Sequence, residues 1–334
     1  MRGAKKSTVV SVAALVLLFT FLLNGCNLDY NPQILQSSQQ RETSHTDKQP
    51  DSSKPAVLVE LPELILPTAA GIAVEKNEQA IIDFSNKNDG YIMAKYLEQT
   101  EMNIRVRITA PDEVIYTYAI LPGHDFDVFP LSAGDGIYEI GIFRQVEGTR
   151  FSMVVSTIID VTLTDEFAPF LRPNQFVNFS QDSDVVRKAA ELTVDAEAFM
   201  DRVAAIYHFV ITHITYDTEL AEAVQRGEVP NTYVPDVDLV LARGKGICFD
   251  YAALMAAMLR SQGIPTKLVI GYTTDVRHAW ISVYSEEEGW LDDIIFFDGN
   301  QWWLVDPTFA ASGSAASLAK FIGEGTNYTA THIH

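Results

Sequence analysis

The hydrophobic pattern of this chain changes period once, and that change limits its folds more than any other feature. From about Ala56 to Thr164 the apolar residues recur at every second position. Ile104, Val106 and Ile108 alternate with Asn103, Arg105 and Arg107, and Val114, Tyr116, Tyr118 and Ile120 follow the turn Pro111-Asp112-Glu113. Ile137 to Val146 and Phe151 to Val161 flank the hairpin-like connection Glu147-Gly148-Thr149. Side chains on a strand alternate between its faces, so each run buries one face. Runs of this kind with turn signals between them predict a small antiparallel β-sandwich, immunoglobulin-like, over 56–165. After an irregular stretch with Pro169 and Pro173, the spacing becomes helical: Val185, Ala189 and Leu192, then Phe199, Val203, Ile206 and Val210, with Asp195 placed to cap the second helix. The result is an α+β chain with a second domain over 166–334.

Length and charge agree with this plan. Of 334 residues 47% are apolar, which suits about two globular domains and is too much for a disordered chain. The 44 acidic and 24 basic side chains give a net charge of −20 with histidine neutral. Such a surface does not attract nucleic-acid phosphates, so nucleic acid is not an expected partner.

The amino terminus is set apart. Arg2, Lys5 and Lys6 precede an apolar run, Thr8 to Leu23, which ends in Asn24-Gly25-Cys26. A permanent span wants about 20 apolar residues, and this shorter run with its basic head reads as a signal peptide over 1–25. Gly25-Cys26 resembles a bacterial lipobox, which implies diacylglyceryl attachment to Cys26 and cleavage ahead of it. From Asn27 to about Pro55 there is little to bury, so 26–55 is expected to be a lipidated cysteine with a flexible tether reaching on the order of 30 Å. The expected location is extracytoplasmic, lipid-anchored to the bacterial cell membrane.

Two cysteines in all make neither a disulfide framework nor a zinc cluster. With Cys26 assigned to the anchor, Cys248 is the only thiol left to the folded part. Gly244-Lys245-Gly246-Ile247-Cys248-Phe249-Asp250-Tyr251 runs into Ala252 to Gln262, helical by composition and stopped by Gly263 and Pro265. Tyr251 to Leu259 is an unbroken apolar run, so this helix is expected at the centre of its domain. Cys248 falls at its first turn, where free N–H groups and the positive dipole end favour thiolate. Gly244 and Gly246 let the chain turn tightly and leave the sulfur open. They are not a phosphate loop, lacking the spacing and a following Ser or Thr.

A thiolate nucleophile needs a base, and the base an orienting group. His45 lies in the tether, His124 in the turn Pro122-Gly123-His124-Asp125, His208 and His213 on the helix before Tyr216, and His332 and His334 in a polar tail, Gly323 to His334. Each reads as solvated or structural. His278 differs: it opens the alternating stretch His278 to Val283, which follows the strand Leu268 to Tyr272 that leaves the cysteine helix. A further hairpin brings Gln301 to Val305 and then Asp306-Pro307-Thr308. Consecutive strands pair roughly two-thirds of the time, which makes His278 and Asp306 neighbours beside the helix N-terminus. Cys248, His278 and Asp306 are thus the candidate catalytic triad.

From about Ser180 to Thr308 the chain resembles the transglutaminase-like core of the papain-type cysteine enzymes. The matching blocks are Ile214-Thr215-Tyr216-Asp217, Gly246 to Ala253 with Leu259-Arg260-Ser261-Gln262-Gly263-Ile264-Pro265, His278-Ala279-Trp280, and Trp303-Leu304-Val305-Asp306-Pro307-Thr308. Four blocks in the family's order are a specific signal. The resemblance implies a cysteine helix packed on an antiparallel sheet, with Cys248 as nucleophile, His278 as general base and then acid, and Asp306 orienting the imidazole. Ile281-Ser282 stands where acidic or polar residues often follow the family's His-Ala-Trp block.

On this reading Cys248 attacks a glutamine carboxamide or a peptide bond, His278 protonates the departing amine, and a thioester remains. One oxyanion donor is expected to be the Cys248 N–H; Tyr216 is the candidate for a second. A lysine amine as acceptor gives an isopeptide crosslink, and water gives hydrolysis, so protein or cell-wall amides are the expected substrates of an acyltransferase or of a cysteine peptidase or amidase. A non-catalytic binding module on the same fold is the third reading, and an intact triad speaks against it. No cofactor is required. Some members of this family hold calcium, but Glu286-Glu287-Glu288 with Asp292 and Asp293 lacks a dedicated loop's spacing and reads as a solvated hairpin. Trp280, Trp302 and Trp303 either line an apolar channel or pack a sheet.

Overall fold

The alternation around Ile104 becomes strand β4 (Ile104–Thr109), with Ile104, Val106 and Ile108 buried and Arg105 and Arg107 facing water. In the computed structural model the described residues are 59–120, 125–230, 232–273, 276–287, 289–292, 296–297, 302–303 and 328–334, with 296–297 and 302–303 described by backbone alone. They fall within one compact unit, Leu58–His334. Residues 1–58, which hold the expected signal peptide, Cys26 and the expected tether with His45, lie outside the described residues, as do His124, Glu288, Asp293 and Asp306.

Eight strands precede the helices. The first sheet runs in the order β1 (Val74–Lys76), β2 (Ala80–Asp83), β3 (Tyr91–Tyr96) and β6 (Asp127–Pro130), all antiparallel. The second runs β5 (Ile115–Ile120), β4, β7 (Gly136–Glu147) and β8 (Arg150–Val161). Ile82, Ile92 and Tyr96 of the first meet Val106, Ile108, Tyr138 and Ile140 of the second in one core, which makes the pair a β-sandwich. The expected hairpin appears as the β7–β8 turn, where Gly148 takes φ 53° between Glu147 and Arg150, which pair in register. Residues 59–73 form no regular element. Leu64 packs on the helical core, and further along Gly71 N–H donates to Asp83 Oδ2 at 2.7 Å.

The helical part comprises α1 (Asp184–Thr193), α2 (Phe199–His213), α3 (Thr218–Gln225), α4 (Val237–Arg243) and α5 (Cys248–Ser261). Val185 and Ala189 on α1 and Val203, Ile206 and Val210 on α2 are buried, as their spacing predicts. Asp195 does not cap α2. Helix α1 runs on to Thr193, so residues 194–198 are used in a turn that Ala196 N–H closes on Thr193 O at 3.0 Å, and α2 follows Ala198 with no side-chain cap. Helices α3 and α4 show no long helical stripe of apolar residues in the sequence. α3 buries nothing, and α4 is short; their local signals were Asp217 and Asp236, whose carboxylates each accept the N–H three residues on, from Leu220 and Leu239, at 3.0 Å.

Helix α5 is the centre of this part. Every residue from Asp250 to Ser261 is buried, surrounded by α1, α2, α4 and one face of an antiparallel sheet in the order β13 (Gly289–Leu291), β12 (Val276–Ser285), β11 (Thr266–Thr273) and β16 (Tyr328–Ile333). The expected fold class, α+β with a cysteine helix packed on an antiparallel sheet after a β-sandwich, is the one observed. Strand β16 corrects the polar tail. Residues Tyr328–Ile333 pair with β11, with a register shift at Ile270/Gly271 that blurs their alternation, and this leaves His332 half-buried and places His334 in the interior. Backbone pairs β14 (Phe296–Phe297) and β15 (Trp302–Trp303) form a separate two-stranded ribbon.

His334 is 3% exposed and meets the sandwich: Tyr118 Oη lies 2.9 Å from its Nδ1, and the rings of Tyr116 and Phe176 stand edge-on to it. Desolvation, with smaller contributions from the charges of His332, Arg260 and Arg277, holds its protonation well below the ordinary imidazole range. An unfolded histidine takes up a proton near about 6.5, so below that pH unfolding binds a proton that the folded state refuses. His334 therefore contributes stability in full above about 6.5, lost progressively as pH falls toward its folded value. We expect the urea midpoint to fall from pH 6.5 to 5, and His334→Gln to flatten that slope, read by tryptophan fluorescence.

Candidate active site

Cys248 is half-buried at the first position of α5, the one partly open end of an otherwise enclosed helix. The preceding residue, Ile247, has no side-chain acceptor and supplies no cap, so the first N–H groups of α5 are left without a side-chain partner from it. Asp250 reaches back instead: its Oδ2 accepts the Ile247 N–H at 2.8 Å, and its Oδ1 accepts the Tyr233 hydroxyl at 2.6 Å. Asp250 is 1% exposed. Burial pushes its carboxyl up from the usual range, against the lowering effect of those two hydrogen bonds. Gly246 has an ordinary φ and is glycine for space, since a Cβ there would sit 2.6 Å from Asp250 Cβ. Gly244, by contrast, has φ 61° and ends α4.

The block Ile214 to Asp217 lies alongside this run. Strand β9 (Thr215–Tyr216) pairs in parallel with β10 (Lys245–Gly246), placing Tyr216 opposite Gly246, and Asp217 N–H donates to Gly246 O at 2.9 Å. Lys245 Nζ is 3.1 Å from Asp217 Oδ1; the Leu220 N–H first, and Lys245 after it, hold the Asp217 carboxyl below its usual range. Tyr251 Oη donates to Ile214 O at 2.5 Å, tying the first turn of α5 to the end of α2. Tyr216 is thus paired opposite the residue two positions before Cys248 in the chain, and is 37% exposed.

Helix length decides which part of the sheet lies beside Cys248. The turn Gln262–Pro265, with Gly263 at φ 73°, reverses the chain into β11. The fourteen residues of α5 rise about 20 Å at about 1.5 Å each. Along β11, Gly271 lies about 17 Å from Thr266 at about 3.3 Å per residue. Gly271 pairs with His278, so the N-terminus of α5 and the His278 position come to the same end of the helix–sheet layer. Ala279, Ile281 and Val283 enter the core with α5, and His278 and Trp280 take the alternate positions. His278 is 7% exposed, its ring 6.3 Å from those of Trp280 and Tyr328.

Other expected residues take quieter places. Trp280 is buried edge-on to Tyr328 at 5.1 Å, so it packs the sheet rather than lining a channel. Glu286 and Glu287 are exposed in the β12–β13 turn, as a solvated hairpin requires. His208 is exposed, and His213 stacks on Phe209 at 4.3 Å. The sequence reading gave Asp250 and Tyr233 no role; the available signal was an acidic residue three positions after the helix start, where a carboxylate can turn back to the chain.

Residues 186–307 match the family model described as the transglutaminase-like superfamily. The uncharacterized protein YebA of Bacillus subtilis (strain 168) is 29% identical over 123 residues, 31% of this chain and 16% of that protein. Kyphoscoliosis peptidase of Mus musculus is 27% identical over 132 residues, 40% of this chain and 19% of that protein. The chain therefore spans under a fifth of the length of either curated relative. Among solved structures, the periplasmic domain of TgpA from Pseudomonas aeruginosa is similar over 74% of this chain and 97% of that one, at 16% identity and a TM-score of 0.31.

Gly271 is the sensitive point of the His278 pairing. A Cβ there would lie 2.1 Å from Thr329 O and 2.7 Å from Trp280 Cη2, and only one of the two belongs to a side chain. We expect Gly271→Ala to destabilise by about 1–3 kcal/mol and to shift the near-ultraviolet circular dichroism of Trp280, measured by urea unfolding and spectrum together.

Proposed function

We propose that this chain, a transglutaminase-like domain protein, is a thiol enzyme of acyl-transfer type in which Cys248 is the nucleophile, His278 the general base and then acid, and Asp306 the group that orients the imidazole. The observation that carries this reading is the half-open Cys248 at the head of a buried helix, level with the His278 position at one end of the sheet. The Cys248 sulfur bonds to an amide carbonyl carbon, the C–N bond breaks, and the amine leaves with the proton held by His278. The thioester that remains is resolved by an amine or by water. The Cys248 N–H and Tyr216 are the donors for the oxyanion. Hydrolysis is the second reading, and similarity to a relative named a peptidase is the observation on its side.

The reading extends to the amino terminus: Cys26 carries lipid after removal of 1–25, the tether 26–55 holds the enzyme outside the cytoplasm, and substrates are proteins or cell-wall amides at that surface. The sandwich over 56–165 positions the catalytic domain over 166–334 or engages the substrate.

Two experiments test these points. The rate of iodoacetamide labelling of Cys248 is expected to depend on His278. A labelling rate indifferent to His278→Ala overturns the catalytic reading. With turnover, His278→Ala is expected to lower kcat about 10²–10⁴-fold; incorporation of a labelled primary amine into a glutamine-bearing protein marks crosslinking, and product without amine marks hydrolysis. For the anchor, Cys26→Ser is expected to move the protein out of the membrane fraction, and persistence there refutes lipidation at Cys26.

A further inference from the structure

The connection from α3 to α4, Arg226–Asp236, has exposed residues at Glu228, Pro230 and Thr232, yet Tyr233 within it is half-buried. Tyr233 is fastened to α5 twice. Its hydroxyl donates to Asp250 Oδ1 at 2.6 Å, and its ring stands 6.5 Å from that of Phe249, the residue after Cys248. The other oxygen of the same carboxyl accepts the Ile247 N–H at 2.8 Å, the amide immediately before the nucleophile. Gly246 is shaped to this carboxyl as well, since any Cβ there would collide with Asp250. One buried side chain therefore grips the chain on one side of Cys248 and a surface connection on the other.

Plain helix capping does not explain this arrangement. A carboxylate at the third helical position commonly reaches back to the amide before the helix, and one oxygen suffices for that. Here the second oxygen is taken by a tyrosine from an otherwise exposed segment, at the cost of ordering that segment. Tyr233 thereby lies against Phe249 and Asp250 in the first turn of α5, the turn that Cys248 begins.

We propose that Asp250 is a positioning residue for the acyl-transfer reaction: through Ile247 it sets the direction in which the Cys248 sulfur and amide leave the first turn, and through Tyr233 it holds residues 232–236 as one wall of the acyl-substrate cleft. This rests on the reading of Cys248 as nucleophile. The two grips divide the effects. Tyr233 acts on binding, because the wall meets the substrate and not the sulfur. Asp250 acts on the chemical step, because the Ile247 amide sets the turn from which the sulfur attacks.

The test uses the full chain with Tyr233→Phe, Asp250→Asn and Asp250→Ala, a glutamine-bearing protein as acyl donor, and iodoacetamide as a small probe that needs no wall. Tyr233→Phe is expected to raise KM about fivefold or more, with kcat and the iodoacetamide rate within about twofold of the parent. Asp250→Ala is expected to lower kcat at least about tenfold, and Asp250→Asn, whose amide oxygen still accepts the Ile247 N–H, to recover most of it. Should Asp250→Ala fail to fold, the Tyr233→Phe split and the Asp250→Asn kinetics decide alone. An unchanged KM in Tyr233→Phe, or an Asp250→Asn as impaired as its folded alanine counterpart, overturns the inference while wild-type turnover upholds the nucleophile. A wild type without turnover whose labelling ignores His278→Ala overturns both.

Discussion

The guanidinium of Arg260 is the interaction on which the arrangement of this protein depends. It is 2% exposed on the last turn of α5, and its three partners are main-chain oxygens from three separated segments: Thr266 at 2.8 Å, Arg172 at 2.9 Å and His334 at 2.7 Å. Burial pushes its pKa down to about 9, so it remains a cation at neutral pH, and hydrogen bonds to a charged donor are the stronger kind. The His334 carbonyl also accepts the Leu268 N–H at 2.8 Å, so the guanidinium adds a second donor there, and a buried carbonyl that lost its donor altogether would cost about 1–3 kcal/mol. Its partners are the start of β11, the end of β16 and the segment that joins the sandwich to α1. Arg172 continues the chain of contacts, donating to Asp89 O and Ala168 O at 3.0 Å and lying over the Tyr91 ring. A single side chain on α5 thereby fixes that helix to the sheet and to the segment that leaves the sandwich.

What was legible in the sequence follows from how local each cause is. The period-two runs and the apolar stretch Tyr251 to Leu259 carry their own instructions, because alternation and unbroken apolarity state which faces are dry. The end of α5 was equally plain, since Gly263 takes the left-handed conformation that its neighbours avoid. Strand β16 was not legible. Its residues, Tyr328-Thr329-Ala330-Thr331-His332-Ile333, have polar groups on both faces, and what holds them is β11 on one edge, with Tyr116 of the sandwich against His332. Nothing within six residues of the chain announces partners that far away.

The candidate site divides in the same way. The place of Cys248 at a helix start and of His278 on a strand was legible because glycine turns and period-two alternation are local signals. The role of Asp250 was not, because its second partner arrives from a connection of no periodicity at all. Arg260 was visible only as a member of a motif block; that it would be buried on carbonyls is a property of three segments meeting, none of which carries a carboxylate to advertise it.

Two glycines show how the ends of these elements are brought together. Gly246 and Gly271 both have ordinary backbone angles, so neither is required for a left-handed turn. Each is glycine because something must come close: the Asp250 side chain over Gly246, the Thr329 carbonyl and the Trp280 ring over Gly271. One lies two residues before Cys248 and the other opposite His278. Missing Cβ atoms at both places let the layers approach at the end of the sheet where α5 opens, while Arg260 fixes the opposite end of the same helix. The end of α5 that carries Cys248 and the β11–β12 pairing at His278 are then placed by the length of α5 against β11 and by close contact at both ends, which is a rigid way to seat a helix on a strand.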